Sequence, residues 1–127
     1  MKKFTALLLS ALLLTGCSAA PEAAAFRQIT QEEAAELIST QTDLVILDVR
    51  TPEEFASGHI PGAINVPNET ISQAPVEALP RKDQTILVYC RSGNRSKQAS
   101  RKLSALGYTD IREFGGVNTW PGALVTD

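Results

Sequence analysis

The chain has 127 residues, with 12 Lys+Arg against 14 Asp+Glu, two cysteines and one histidine. A mildly acidic balance argues against a nucleic-acid partner, which needs a basic face. One histidine and no cysteine pair to accompany it exclude a conventional structural zinc site, and no metal or cofactor is expected.

In chain order, Lys2 and Lys3 form a charged start, followed by an apolar run of 11 residues from Phe4 to Leu14. That run falls short of the roughly 20 residues that span a bilayer. It fits the apolar region of a secretory signal. Leu14-Thr15-Gly16-Cys17 comes next. These four residues, at this distance from the start, resemble the lipobox of bacterial lipoproteins. The resemblance implies cleavage before Cys17 and lipid on its sulfur; an ordinary signal or an uncleaved anchor with a chance cysteine is the alternative. Residues 1–16 are read as the signal peptide, 17–25 as a lipid-anchored tether and 26–127 as one domain. Cleavage leaves 111 residues, with 10 basic against 14 acidic once Lys2 and Lys3 are gone, a net charge of −4. That length is enough for a single core. Lipid, not charge, then holds the chain to a membrane, facing the periplasm or the cell exterior.

Ser18 to Ala25 is Ala-rich and has no helical apolar stripe. Phe26 starts the domain. Thr30-Gln31-Glu32-Glu33 has the pattern of a capping box, and Ala34, Leu37 and Ile38 give an apolar stripe at helical spacing. Leu44 to Leu47 reads as a strand buried on both faces, with Asp48, Val49 and Arg50 at its end. Thr51-Pro52-Glu53-Glu54 opens another helix: Thr51 caps, Pro52 suits the first turn and Glu54 completes the box. Gly58 stops it. His59-Ile60-Pro61-Gly62 reads as a turn and Ala63 to Val66 as a short strand. Asn68 to Pro80 is expected to be a loop with a short helix near Pro75 to Leu79. Thr85 to Tyr89 is a second buried strand. A helix follows from about Asn94 to Leu106, with Ala99, Leu103 and Leu106 on one face and Lys97, Arg101 and Lys102 elsewhere. Ile111 to Phe114 is a last strand, leading through Gly115-Gly116 to a short turn or helix ending at Trp120. Alternating strands and helices predict an α/β fold with a central, mainly parallel sheet flanked by helices. Ligands bind such sheets beyond the C-terminal strand ends, where Asp48 and Cys90 are both expected.

Cys90 ends the second buried strand, and a short loop with Gly93 and two arginines, Arg91 and Arg95, leads into the helix. Loop N–H groups, a helix N-terminus and arginine charge all favour a thiolate. The helix end contributes about 0.3–1 kcal/mol at an exposed site. A cation at ~6 Å gives on the order of 3 kcal/mol at an effective dielectric near ~20. An inward-pointing Arg91 or Arg95 would therefore outweigh the dipole, and a depressed Cys90 pKa is expected. With Cys17 lipidated, Cys90 has no partner within the chain. The alternative is an inert buried cysteine ending a strand.

Asp48-Val49-Arg50 through Pro67, Cys90 through Ser96, Gly115-Gly116 and Trp120 together resemble a single-domain rhodanese, a sulfurtransferase module. The resemblance covers roughly Phe26 to Gly122. It implies that Cys90 takes a sulfane sulfur from thiosulfate or a persulfide donor, holds it as a persulfide and passes it to a thiophilic acceptor. By position, Arg91, Ser92, Gly93, Asn94 and Arg95 form the active-site loop, with Ser96 opening the helix. Asp48 and Arg50 match a strand-end pair that supports the loop, and Trp120 matches an aromatic near the pocket. The implied partner is a small sulfur-containing anion or a thiol or persulfide protein.

Each residue also has a plainer reading. The arginines bind an anionic donor or are solvated helix-start charges; Arg101 and Lys102 read as helix surface. His59 is read as structural rather than as a general base. Asp48 either bonds the loop backbone or pairs with Arg50. Trp120 is core or pocket wall. From Cys90 to Arg95 the spacing is C-x4-R, one residue shorter than in the related phosphatase-like and arsenate-reductase-like loops, and the smaller ring of N–H groups suits a single sulfur atom. A non-catalytic sulfur carrier and a redox sensor remain as other uses of the same thiol.

Overall fold

A computed structural model describes residues 26–127. Cys17, the signal peptide and the tether lie outside the described residues. The elements run β1 (Arg27–Gln28), α1 (Gln31–Thr40), β2 (Leu44–Asp48), α2 (Pro52–Ser57), β3 (Ile64–Asn65), β4 (Thr85–Cys90), α3 (Asn94–Ala105) and β5 (Asp110–Gly116), with single 3-10 turns at Asn68–Thr70 and Val117–Thr119. The five strands form one sheet in the order β1-β5-β4-β2-β3. Every strand pair in it is parallel.

The central strands alternate their side chains between two buried faces. Leu47, Val49, Ile86, Val88 and Cys90 pack with Ala99 and Leu103 of α3. Ile46, Leu87, Tyr89 and Phe114 pack with Ala34 of α1 on the other face. Burial on both sides explains the unbroken apolar runs. Leu106 packs at the margin of the α3 face, as its spacing predicts.

Helix starts follow their local chemistry. The Thr51 hydroxyl accepts the Glu54 N–H, and the Glu54 carboxylate accepts the Thr51 N–H, so the capping box is complete. At α1 only half the box forms. Thr30 Oγ1 accepts the Glu33 N–H, while the Glu33 carboxylate takes the Thr30 hydroxyl proton instead of its N–H.

The segment before β4 departs from expectation. Val76 to Leu79 makes one turn, closed by the Leu79 N–H donating to Val76 O at 2.9 Å, and no helix forms near Pro75 to Leu79. The buried Tyr108 hydroxyl takes the Val76 N–H at 3.1 Å and donates to Leu79 O at 2.7 Å. Those backbone groups satisfy a tertiary partner in place of a helical ladder. β3 is shorter than Ala63 to Val66 because the Ala63 N–H turns back to Ile60 O. β5 is longer than expected, and β1 has no counterpart in the sequence reading.

Candidate active site

β2 and β4 are neighbours, with Asp48 opposite Tyr89, so Asp48 and Cys90 emerge at the same end of the sheet. Cys90 faces Gly116 of β5 across a register irregularity. Gly116 sets how close the loop lies: a Cβ there would overlap the Arg91 carbonyl and the Ser92 amide nitrogen. The Asn118 N–H then donates to Arg91 O at 3.1 Å, tying the loop to the turn after β5. Gly93 is the N-cap of α3 at φ +112°, a left-handed conformation that glycine adopts without a Cβ penalty.

That conformation aims backbone at sulfur. The Gly93 N–H donates to Cys90 Sγ at 3.0 Å, and Ser96 Oγ lies 3.5 Å from the same sulfur. Cys90 is buried, at 1 % exposure, under the exposed Arg91, Ser92 and Asn94. Burial pushes its thiol up. Hydrogen bonds from the Ser96 hydroxyl and from the Ser96, Gly93 and Ser92 N–H groups outweigh this and hold the thiol below its ordinary value.

The expected route to that shift was different. Arg95 does not turn its guanidinium to the sulfur; it forms a bidentate pair with Glu54 of α2, at 2.7 and 2.9 Å. Its charge still acts on Cys90. The main causes of the lowered thiol, however, are hydrogen bonds, because the carboxylate captures the fork of the guanidinium. The same pair holds the Glu54 carboxyl down at about 2, with Thr51 adding to the effect. Sequence reasoning placed Glu54 in a capping box and missed this second task. The only signal was an acid 41 residues from Arg95, and no local pattern links them.

Asp48 and Arg50 find each other. Arg50 donates to both Asp48 oxygens, with Nη2 at 2.7 Å from Oδ2, and its Nη2 also donates to Gly58 O at 2.7 Å. Both residues are buried, and the Arg50 guanidinium lies 5.8 Å from the Tyr89 ring centroid. The pair braces the start of α2 and its end. Trp120 packs on Phe114 at 5.4 Å between ring centroids, as part of the core on the α1 face. His59 stacks on Phe55 at 3.8 Å, its Nδ1 lies 2.9 Å from Phe55 O, its Nε2 lies 3.6 Å from Asp127 Oδ1 and its backbone pairs with Val125, so its contacts are with α2 and the C-terminal segment. Lys102 is more than helix surface: its ammonium donates to Asn68 O and Oδ1. Arg101 lies over the Phe26 ring at 5.9 Å. Among the described residues no cluster of three His, Cys, Asp or Glu is placed to hold a metal.

One further buried group was not anticipated. Glu113 of β5 is 2 % exposed, and its carboxylate accepts the Ser96 hydroxyl at 2.7 Å and the Gly115 N–H at 3.0 Å.

Comparison with known proteins agrees with this geometry. Residues 30–123 match the rhodanese-like domain family. Residues 1–18 match a prokaryotic membrane lipoprotein lipid attachment site, which gives the chain a lipid-anchored association with a membrane. Thiosulfate sulfurtransferase PspE of Escherichia coli is 41% identical over 71 residues, covering 56% of this chain and 68% of that protein. Thiosulfate sulfurtransferase GlpE of Pseudoalteromonas translucida is 33% identical over 100 residues, covering 78% and 92%. The human single-domain sulfurtransferase TSTD1 superposes with a TM-score of 0.62 at 28% identity, covering 73% of this chain and 92% of that one. A single cysteine cradled by loop N–H groups at the end of a central parallel strand, with relatives along most of the domain, makes this chain a member of the rhodanese-like family and a rhodanese-type sulfurtransferase.

Proposed function

We propose that the chain moves a sulfane sulfur from thiosulfate or a persulfide donor to a thiophilic acceptor through a Cys90 persulfide, at a membrane surface outside the cytoplasm. The observation that carries this reading is the Gly93 N–H at 3.0 Å from Cys90 Sγ, at the head of α3. The thiolate attacks the outer sulfur of thiosulfate; a new S–S bond forms, the old one breaks, and sulfite leaves with the electron pair. The terminal sulfur is then anionic, and the exposed side of the loop is where an acceptor reaches it. A cyanide carbon attacking that sulfur releases thiocyanate and restores the thiolate, with no proton consumed. The names of PspE and GlpE support thiosulfate as donor.

The test uses the full chain in detergent, mixed with thiosulfate and cyanide, with thiocyanate measured. Turnover that Cys90→Ser abolishes is the expected result. A second reading, a sulfur carrier loaded by a protein persulfide, is favoured by one observation: Glu54 occupies Arg95, which leaves less free cation for a small dianion. A persulfide on Cys90 detected by mass without thiocyanate turnover supports the carrier. For the anchor, loss of palmitate labelling in Cys17→Ala is expected, and protease access to the domain in intact cells or spheroplasts reads which side it faces.

A further inference from the structure

We propose that Glu113 governs the ionisation of Cys90 by competing with its thiolate for the single proton of the Ser96 hydroxyl. Ser96 Oγ is fully buried and touches four groups: Glu113 Oε1 at 2.7 Å, Gly93 O at 2.9 Å, Gly115 O at 3.4 Å and Cys90 Sγ at 3.5 Å. A serine hydroxyl has one proton to give. The shortest of these contacts is to an acid whose other contacts are all donors: the Gly115 N–H at 3.0 Å on Oε1 and Gln28 Nε2 at 3.2 Å on Oε2.

The two protonation states of Cys90 ask opposite things of Ser96. While Cys90 is a thiol, its S–H donates to Ser96 Oγ and Ser96 donates to Glu113. When the thiolate forms, the sulfur becomes an acceptor and Ser96 turns its proton from the carboxylate to the sulfur. The Gly93 N–H is fixed backbone and serves the sulfur in either state. Only the hydroxyl is contested. Hydrogen bonds to ionised acceptors are about twice as strong as neutral ones, so the competition is between two strong acceptors. Glu113 thereby restrains thiolate formation and keeps the thiol from being as acidic as the loop alone would make it.

The charged groups around this contact are few. From α3, Arg95 acts on Cys90 but is paired with Glu54 of α2, and Lys97 lines the cleft that Glu113 also borders. From β1 and α1 the neutral Gln28 and Gln31 line that cleft. Asp48 and Arg50, at the end of β2, neutralise each other. Arg91 is exposed on the loop.

The proposal takes Cys90 as the reactive thiol, as the proposed function does, but does not depend on which donor supplies sulfur. It is tested by the pH dependence of Cys90 alkylation with iodoacetamide in the full chain in detergent, read by peptide mass so that Cys17 does not contribute. Ser96→Ala is expected to raise the midpoint. Glu113→Gln is expected to lower it by about 0.5–1 pH unit, seen as roughly three- to tenfold faster alkylation below the midpoint. Glu113→Asp keeps the charge and draws the acceptor back from Ser96, and is expected to lower the midpoint as well. In the Ser96→Ala background, adding Glu113→Gln is expected to lose most of its effect.

An unchanged or raised midpoint in Glu113→Gln overturns the proposal. So does a fall that persists in full without the Ser96 hydroxyl, or one that Glu113→Asp fails to reproduce; both assign direct charge repulsion instead. If Glu113→Gln does not fold, as judged by its thermal melt, Glu113→Asp alone and combined with Ser96→Ala decides the matter. The expected shifts without thiocyanate or persulfide formation leave the coupling standing and remove the proposed function; sulfur transfer without the shifts does the reverse.

Discussion

Two neighbouring strands end in buried polar groups, and they handle charge in opposite ways. At the end of β2, Asp48 and Arg50 satisfy each other and the Gly58 carbonyl inside the protein. At the end of β4, Cys90 meets N–H groups and a hydroxyl instead of a cation. A closed ion pair cannot release its charge without leaving the other half stranded. A thiol stabilised by neutral donors can gain and lose charge with only the donors' help, and that is what a sulfur carrier must do. On the proposed function, support belongs to one strand end and chemistry to the other.

The largest expected effect breaks the closed end. Arg50→Ala leaves the Asp48 carboxylate buried and unpaired, and is expected to cost about 3–5 kcal/mol of stability in a denaturant melt. Arg50→Ala that loses transfer activity while keeping its stability would instead place this pair in the chemistry.

The open end is attacked through its seat. Gly116→Ala puts a Cβ where the Arg91 carbonyl and Ser92 amide now lie. The loop must shift, at a cost of about 1–3 kcal/mol and on the order of 100-fold in transfer rate. A variant with wild-type turnover would show that the loop is not held by this contact.

A smaller effect sharpens the border between the two ends, where Glu54 and Arg95 meet. Glu54 titrates near 2 in the folded chain, against an ordinary value of 4.5. A carboxyl lowered by folding contributes stability that is present above the ordinary value and is lost as pH falls through the folded one. Stability is therefore expected to drop between about pH 5 and pH 2. With the side chains 27% and 28% exposed, screening reduces the loss to about 1 kcal/mol. Glu54→Gln is expected to lack that part of the acid sensitivity, as read from melts at the two pH values.

Much of the architecture was legible because it is local. The Thr51 box, the Asn94 start of α3 and the apolar runs of β2 and β4 each carry their own signal within a few residues. Cys90 was legible for the same reason, since strand, loop glycine and helix follow one another without interruption. What escaped was decided by partners far away in sequence. β1 is two exposed residues, Arg27 and Gln28, made a strand only by pairing with Arg112 and Glu113. The turn at Val76 depends on the hydroxyl of Tyr108, 32 residues later. The expected loop ran to Arg95, but α3 already starts at Asn94, so Asn94 and Arg95 stand in its first turn, and the direction of the Arg95 side chain is set by Glu54. Glu113 sits on a strand between Arg112 and Phe114, where a charged residue ordinarily signals a solvated face, and only the folded chain shows it turned inward beside Ser96.

The six residues of α2 bury no side chain of their own. The helix is held by the Thr51 box and the Glu54–Arg95 pair near its start, by one stacked ring, Phe55 on His59, and, at its end, by Arg50 on the Gly58 carbonyl and the antiparallel bridge of His59 to Val125. An element fastened by hydrogen bonds at its ends, with little apolar anchorage between them, belongs to the least protected class of structure in native-state amide exchange. Its amides should exchange through local opening well before those of β2 or β4. Each such opening would withdraw Glu54 from Arg95 and uncover a guanidinium beside the Cys90 loop, so exchange at the α2 amides is expected to report how often that charge becomes free.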